Sequence, residues 1–161
     1  MPLNGMNREE YLDEKFNGIE NAKQIYKKIY EEGLRNKIYF QFDKILKTPN
    51  SFASHKLLAL AFKVGKQTQV AETLFYSYFI EGMDIGEIES LNEIAKQHDF
   101  YNEKNSLYLE SDKDNKNLLA EELHARELGV RGVPCFIVNK EFVVFGAQEK
   151  DYFLNIFKSI L

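Results

Sequence analysis

The sequence predicts a mostly helical α/β fold, and three observations carry that prediction. Apolar residues recur at helical spacing in segment after segment from about residue 7 to residue 128. Near the other end, two β-branched and aromatic runs, Cys135-Phe136-Ile137-Val138 and Phe142-Val143-Val144-Phe145, flank Asn139-Lys140-Glu141, a connection short enough for a hairpin. An amphipathic helix from Gln148 to Leu161 then closes the chain. With 161 residues and 44% hydrophobic content the chain can bury one core, so a single domain over 1–161 is the expectation.

Asn7 before Arg8-Glu9-Glu10 predicts an N-cap with acidic residues in the first turn, and a helix to about Phe16. Asn17-Gly18 breaks it. Ala22, Ile25, Tyr26, Ile29 and Tyr30 then fall at i, i+3, i+4, i+7 and i+8, an amphipathic helix expected to stop near Gly33. Ile38 to Asp43 alternates weakly and reads either as a short strand or as an extended connection. Thr48-Pro49-Asn50-Ser51 forms a turn and cap for a helix over 51–64, apolar enough to be buried on most sides. Gly65-Lys66 ends it, and one helix is predicted from Gln67 to Glu81 with Leu74, Phe75, Tyr78 and Phe79 on its apolar face.

Gly82-Met83-Asp84 and Gly86 punctuate the chain, and Ile85, Ile88, Leu91, Ile94 and Ala95 continue helical spacing toward His98. A short helix is expected from Glu103 to Glu110, and Ser111-Asp112 is expected to cap a longer one through Leu118, Leu119, Leu123 and Leu128. That helix stops at Gly129. Pro134 cannot donate to a sheet ladder, so it belongs at the first position of the strand or on an edge. No internal repeat interrupts this order.

Charge and composition exclude several classes. The 21 basic and 25 acidic residues give a net charge of -4, with lysines scattered among acids, so nucleic acid is not an expected partner. The longest apolar run, Leu57 to Phe62, is too short to cross a bilayer, and no basic-then-apolar leader opens the chain. One cysteine allows no intramolecular disulfide and no Cys-rich metal framework, so cytoplasmic residence is expected, with no cofactor and no metal. Neither a phosphate-cradling Gly-x-x-x-x-Gly-Lys nor a Gly-x-Ser-x-Gly elbow is present.

The order helix, Gly129-Val130-Arg131-Gly132-Val133-Pro134, strand, turn, strand, Gly146-Ala147-Gln148, helix resembles the C-terminal half of the thioredoxin-like DsbA family. The resemblance is to its cytosolic FrnE-like branch, related to 2-hydroxychromene-2-carboxylate isomerases. Met6 to Phe16, Thr48 to Leu58 and Ala71 to Phe75 look like landmarks of that branch's helical insertion, so the resemblance runs in family order over the chain. It implies a helical insertion over about 7–128 and a C-terminal β-β-α thioredoxin half over about 129–161. It further implies a cis proline at Pro134, with Val133 offering backbone hydrogen bonds to a bound peptide. A cis X-Pro bond is a minority state that the fold must enforce.

The departures from the family matter more than the matches. Its first strand, its Cys-x-x-Cys at a helix start and its second strand have no counterpart before Met6, so the N-terminal βαβ unit is incomplete. Dithiol exchange needs a low-pKa attacking thiolate and a second thiol to resolve the mixed disulfide. One cysteine cannot do both, so no catalytic residue is assigned. The strand from Cys135 would lack its family neighbour, and an open edge invites pairing. A homodimer, a separate N-terminal partner chain or an upstream extension is expected to cover it.

Cys135 reads first as a small apolar filler in a strand, and second as a redox thiol forming a mixed disulfide with a substrate or another subunit. His55 reads as a packing or hydrogen-bonding residue on the buried helix, and His98 and His124 as residues of charged faces. Glu9-Glu10, Glu31-Glu32 and Glu121-Glu122 read as solvated helix faces, and the 13 Phe and 9 Tyr mostly as core. Three functions remain open. The first is a DsbA-family thiol-disulfide oxidoreductase or isomerase scaffold acting on protein or small-molecule thiols and inactive alone. The second is a noncatalytic peptide-binding module using Val133 and Pro134. The third is a glutathione-using isomerase of the hydroxychromene-carboxylate kind, weakened by the same missing segment.

Overall fold

A computed structural model describes residues 1–160, which fall into two compact units, one over Met1–Lys113 and one beginning at Asp114. The first unit opens with a two-residue ladder that the periodicity did not reveal. Strand β1 (Met6–Asn7) pairs antiparallel with β2 (Lys47–Thr48), Met6 opposite Thr48 and Asn7 opposite Lys47. Helix α1 (Arg8–Phe16) starts as predicted, the Asn7 side chain accepting from the Glu9 and Glu10 amides at 2.9 and 3.3 Å. It ends at Asn17, whose φ of 54° is left-handed.

Helix α2 (Ile19–Arg35) differs from expectation at its end. Gly33 is not the stop but a buried position inside the helix, because a Cβ there would lie 2.6 Å from the Phe40 ring. The glycine is a close approach between helix and returning chain. Along α2 the predicted stripe buries Ala22 and half-buries Tyr26 but leaves Ile25, Ile29 and Tyr30 exposed. Ile38 to Gln41 is an extended connection rather than a strand, and a 3-10 turn follows at Phe42–Lys44.

Helix α3 (Phe52–Lys63) starts at the predicted turn and cap, where Asn50 Oδ1 accepts from the Phe52 amide at 3.0 Å and Ser51 makes no side-chain cap. Its buried face comprises Ser54, Lys56, Leu57 and Ala61. Lys56, 1% exposed, aims its ammonium at the end of α6 (Glu103–Glu110), donating to the carbonyls of Leu109 at 3.2 Å and Ser111 at 2.5 Å over the Tyr108 ring. Orphan helix-end carbonyls therefore compensate a buried charge. His55 is exposed on the opposite side of α3, so its expected packing role is not met.

The predicted helix from Gln67 to Glu81 divides into α4 (Gln67–Tyr76) and a π turn (Ser77–Glu81), closed by Gly82 at φ 76°. A side chain at Gly82 would strike the Lys44 carbonyl oxygen at 2.5 Å. Helix α5 (Ile88–Gln97) then supplies Leu91, Ile94 and Ala95 to the core, with Leu57 and Ala61 of α3, Val70 and Leu74 of α4, Phe100, and Leu109 of α6.

A second cluster is aromatic: Tyr26 meets Phe42 edge-on at 4.8 Å, and Phe40 stacks on Phe42 at 4.9 Å. At its side the Arg8 guanidinium is buried, donating to Thr48 Oγ1 at 3.1 Å and the Tyr78 hydroxyl at 3.4 Å, with the Tyr26 ring 5.0 Å away. The aromatic residues are less uniformly core than composition suggested, since Tyr39, Phe62, Phe75 and Phe145 are exposed. Glu9, Glu10, Glu31, Glu32, Glu121 and Glu122 lie on exposed faces as read.

In the second unit, α7 (Asn115–Glu127) starts after Asp114, whose φ of 64° turns the chain into the helix, so the expected cap at Ser111-Asp112 lies too early. Strands β3 (Cys135–Val138) and β4 (Phe142–Phe145) form the predicted antiparallel hairpin, Cys135 opposite Phe145 and Val138 opposite Phe142. Asn139 and Lys140 both have positive φ, 50° and 62°, and the Glu141 amide donates to the Val138 carbonyl at 3.1 Å. Two left-handed residues match the right-handed strand twist. Helix α8 (Lys150–Ile160) sets Phe153 edge-on against Phe136 at 4.8 Å; the predicted last residue, Leu161, lies outside the described residues. Among the described residues no helix is long and apolar enough to cross a membrane.

Candidate functional site

The stretch from Gly129 to Pro134 is set by the way α7 ends. Gly129 takes φ 85° and donates to the Arg126 carbonyl at 2.9 Å, while the Val130 amide reaches back to Ala125 at 3.0 Å. That pair of bonds is the Schellman arrangement, which a left-handed glycine permits. The chain leaves the helix through Arg131 and Gly132 and presents Val133, 90% exposed. The Val133–Pro134 peptide bond is cis, and the Pro134 ring is exposed.

Pro134 sits immediately before β3, where its missing N–H costs no ladder bond. Its carbonyl accepts from the Gly146 amide at 2.9 Å and ties the base of the hairpin. Gln148 reinforces that closure by donating to the Phe145 carbonyl at 3.0 Å. Sequence reasoning marked Gly146 and Gln148 as landmarks without this bond; only the strand register reveals it.

Cys135, the first residue of β3, is a free thiol, half-buried rather than enclosed. Val133, Pro134 and Cys135 are therefore contiguous in space as in sequence, with β3 bonded to β4 on one side only. No second thiol is present in the sequence, and no group of three His, Cys, Asp or Glu side chains able to hold a metal ion occurs among the described residues. The histidines belong elsewhere. His124 is exposed on α7 with Nδ1 3.8 Å from Glu127, and His98 is half-buried, its Nε2 2.8 Å from Thr73 Oγ1, not on an open charged face.

In chain order a helical unit is followed by a proline-led β-β-α portion, and the comparisons with known proteins give this chain a thioredoxin-like fold of the DsbA type. The family model for the DSBA-like thioredoxin domain matches residues 3–158, so the chain belongs to that family. Its backbone is also similar to the crystal structure of a probable DsbA oxidoreductase from Streptomyces coelicolor, with a TM-score of 0.83 at 20% identity, covering 96% of this chain and 67% of that one. No curated protein matches the chain.

Proposed function

We propose that the chain is the scaffold of a FrnE-like thiol-disulfide oxidoreductase or isomerase, acting on protein or small-molecule thiols in the cytoplasm. The supporting observation is family membership over residues 3–158 together with a single half-buried thiol beside an exposed Val133-Pro134 turn. Disulfide exchange takes two thiols, one to attack and one to release the mixed disulfide, and the sequence has one. By itself the 161-residue chain then forms at most a dead-end mixed disulfide at Cys135 and turns nothing over. Catalysis requires a Cys-x-x-Cys from a preceding segment or a separate partner chain. Reduction of insulin disulfides by the purified chain with dithiothreitol is the test. A rate equal to the reductant alone is expected, and turnover abolished by Cys135→Ser would overturn the proposal.

The unpaired side of β3 favours a second reading, a noncatalytic module that holds an extended segment by strand addition with Val133 beside it. The occupant is a peptide, an N-terminal partner or a second copy of the chain. In this reading peptide affinity survives Cys135→Ser and falls on Pro134→Ala, which alters the entry into β3. Affinity unchanged by either substitution counts against it.

A further inference from the structure

The turn that presents Val133 is tethered at its two ends. On one side the Val130 amide bonds the Ala125 carbonyl at the end of α7, and on the other the Pro134 carbonyl accepts from the Gly146 amide at 2.9 Å. Between them Arg131, Gly132 and Val133 make no main-chain hydrogen bond among the described residues. The tether next to Val133 and Cys135 is therefore the one that β4 supplies.

Its place in the ladder follows from the register. Cys135 stands opposite Phe145, so Pro134 and Gly146 form the next pair outward. Hydrogen-bonded and non-bonded pairs alternate along antiparallel strands. The Gly146 bond makes its own pair a bonded one, which leaves Cys135 with Phe145 as a non-bonded pair and Phe136 with Val144 as the next bonded one. The amide and carbonyl of Cys135 accordingly face the side of β3 that has no strand. A full rung carries two bonds, but proline has no N–H, so the Gly146 amide holds the Pro134 rung alone.

Gly146 is a glycine for its torsion and not for space. Its φ is 75°, and a Cβ there would meet nothing within 4 Å. The amide still belongs to the ladder, while the positive φ turns the chain out of β4 on its way to α8. Gln148 supports that exit by donating to the Phe145 carbonyl at 3.0 Å. A residue that resists the left-handed region must either bear the strain or carry its amide away from Pro134.

We propose that Gly146 is a positioning residue for the Val133–Pro134 turn, acting through the Pro134 carbonyl to fix how Val133 and the Cys135 thiol meet a substrate. This role rests on the turn being the substrate-facing surface, and it places part of the control of that surface on β4. The test compares three variants of the full chain. Gly146→Asn tolerates the left-handed region, Gly146→Val does not, and Gly146→Ala is intermediate. Alkylation of Cys135 by iodoacetamide and hydrogen exchange of the residue 146 amide are measured in the folded state.

Gly146→Val should raise the alkylation rate about fivefold or more and deprotect the residue 146 amide, with shifted resonances concentrated at Val133 and Cys135. Gly146→Asn should stay within about twofold of the parent in both readouts. Asparagine is bulkier than alanine, so parental behaviour in Gly146→Asn but not in Gly146→Ala isolates the torsion. That pair also carries the comparison if the valine variant does not fold. Equal alkylation rates in all three variants, or a parental rate in a variant whose residue 146 amide has lost protection, would overturn the positioning role. Affinity for the unfolded insulin B chain should fall in Gly146→Val and hold in Gly146→Asn. Equal affinities in variants whose alkylation rates differ would instead refute the substrate-facing reading of the turn, so the two failures are distinguishable.

Discussion

Arg8 and Tyr78 show how much one buried polar contact asks of its surroundings. The guanidinium shares Nη1 between Thr48 and the Tyr78 hydroxyl and lies against the Tyr26 ring. Burial pushes the Tyr78 phenol above its ordinary value of 10.0, and the nearby positive charge of Arg8 only partly offsets it. The folded state therefore keeps a proton that the unfolded chain releases near pH 10, and binds more protons in that range. This contribution to stability is complete below about pH 10 and is lost as pH rises through the folded pKa. Tyr78→Phe should lower stability at neutral pH by about 0.5–1.5 kcal/mol, the net value of a hydrogen bond, and flatten the alkaline decline. Some slope will persist, because hydrogen bonds to Asp84 and Glu87 raise Lys47 and that group is discharged in the same region. Urea midpoints followed between about pH 8 and 11 decide the matter. Parallel alkaline limbs in parent and variant would remove Tyr78 from the account.

Among the elements, α2 separates what spacing reveals from what it conceals. Its existence was legible from Ala22, Ile25, Ile29 and Tyr30, but Gly33 was read as a stop because a glycine near a helix end usually is one. The competing cause, a close approach by Phe40, depends on a chain reversal that no local pattern encodes. Gly33→Ala weighs the two effects. Alanine gains about 1 kcal/mol of helix propensity over glycine. Its Cβ would stand 2.6 Å from the Phe40 ring and 2.9 Å from the Ile38 carbonyl oxygen, and overpacking of this kind costs about 1–3 kcal/mol. A net loss near 1 kcal/mol is expected by urea denaturation. Phe40→Leu in the same chain should make the two changes non-additive, since the obstruction is shared. A stabilised Gly33→Ala would mean that the Phe40 ring yields and that helix propensity decides the position. The π turn was concealed for a related reason: Leu74, Tyr78 and Phe79 satisfy helical spacing with or without one extra residue in the turn.

At the scale of the molecule, the sequence carried the order of elements and the placement of Val133, Pro134 and Cys135, since each rests on local chemistry. The change of helical phase at Ser77–Glu81 was out of reach, because spacing alone does not register one extra residue in a turn. The distribution of burial was equally hidden. In the first unit nine residues from α3 to α6 and the intervening loop form one buried cluster. In the second, neither α7 nor α8 has a buried side chain, Val144 is the buried apolar residue of the hairpin, and Phe136, Ile137, Val143 and Phe145 are exposed. Opening free energy follows the apolar surface that an element removes from water. Native-state hydrogen exchange should therefore find the slowest amides in α3 and α5, with those of β3, β4 and α8 exchanging at least about tenfold faster. The ladder bonds of the hairpin oppose this, but a lone two-stranded sheet is marginal in water and does not reverse it. Equal protection in both units at low denaturant would mean that they open in one cooperative step, and local burial would then not set the order of exchange.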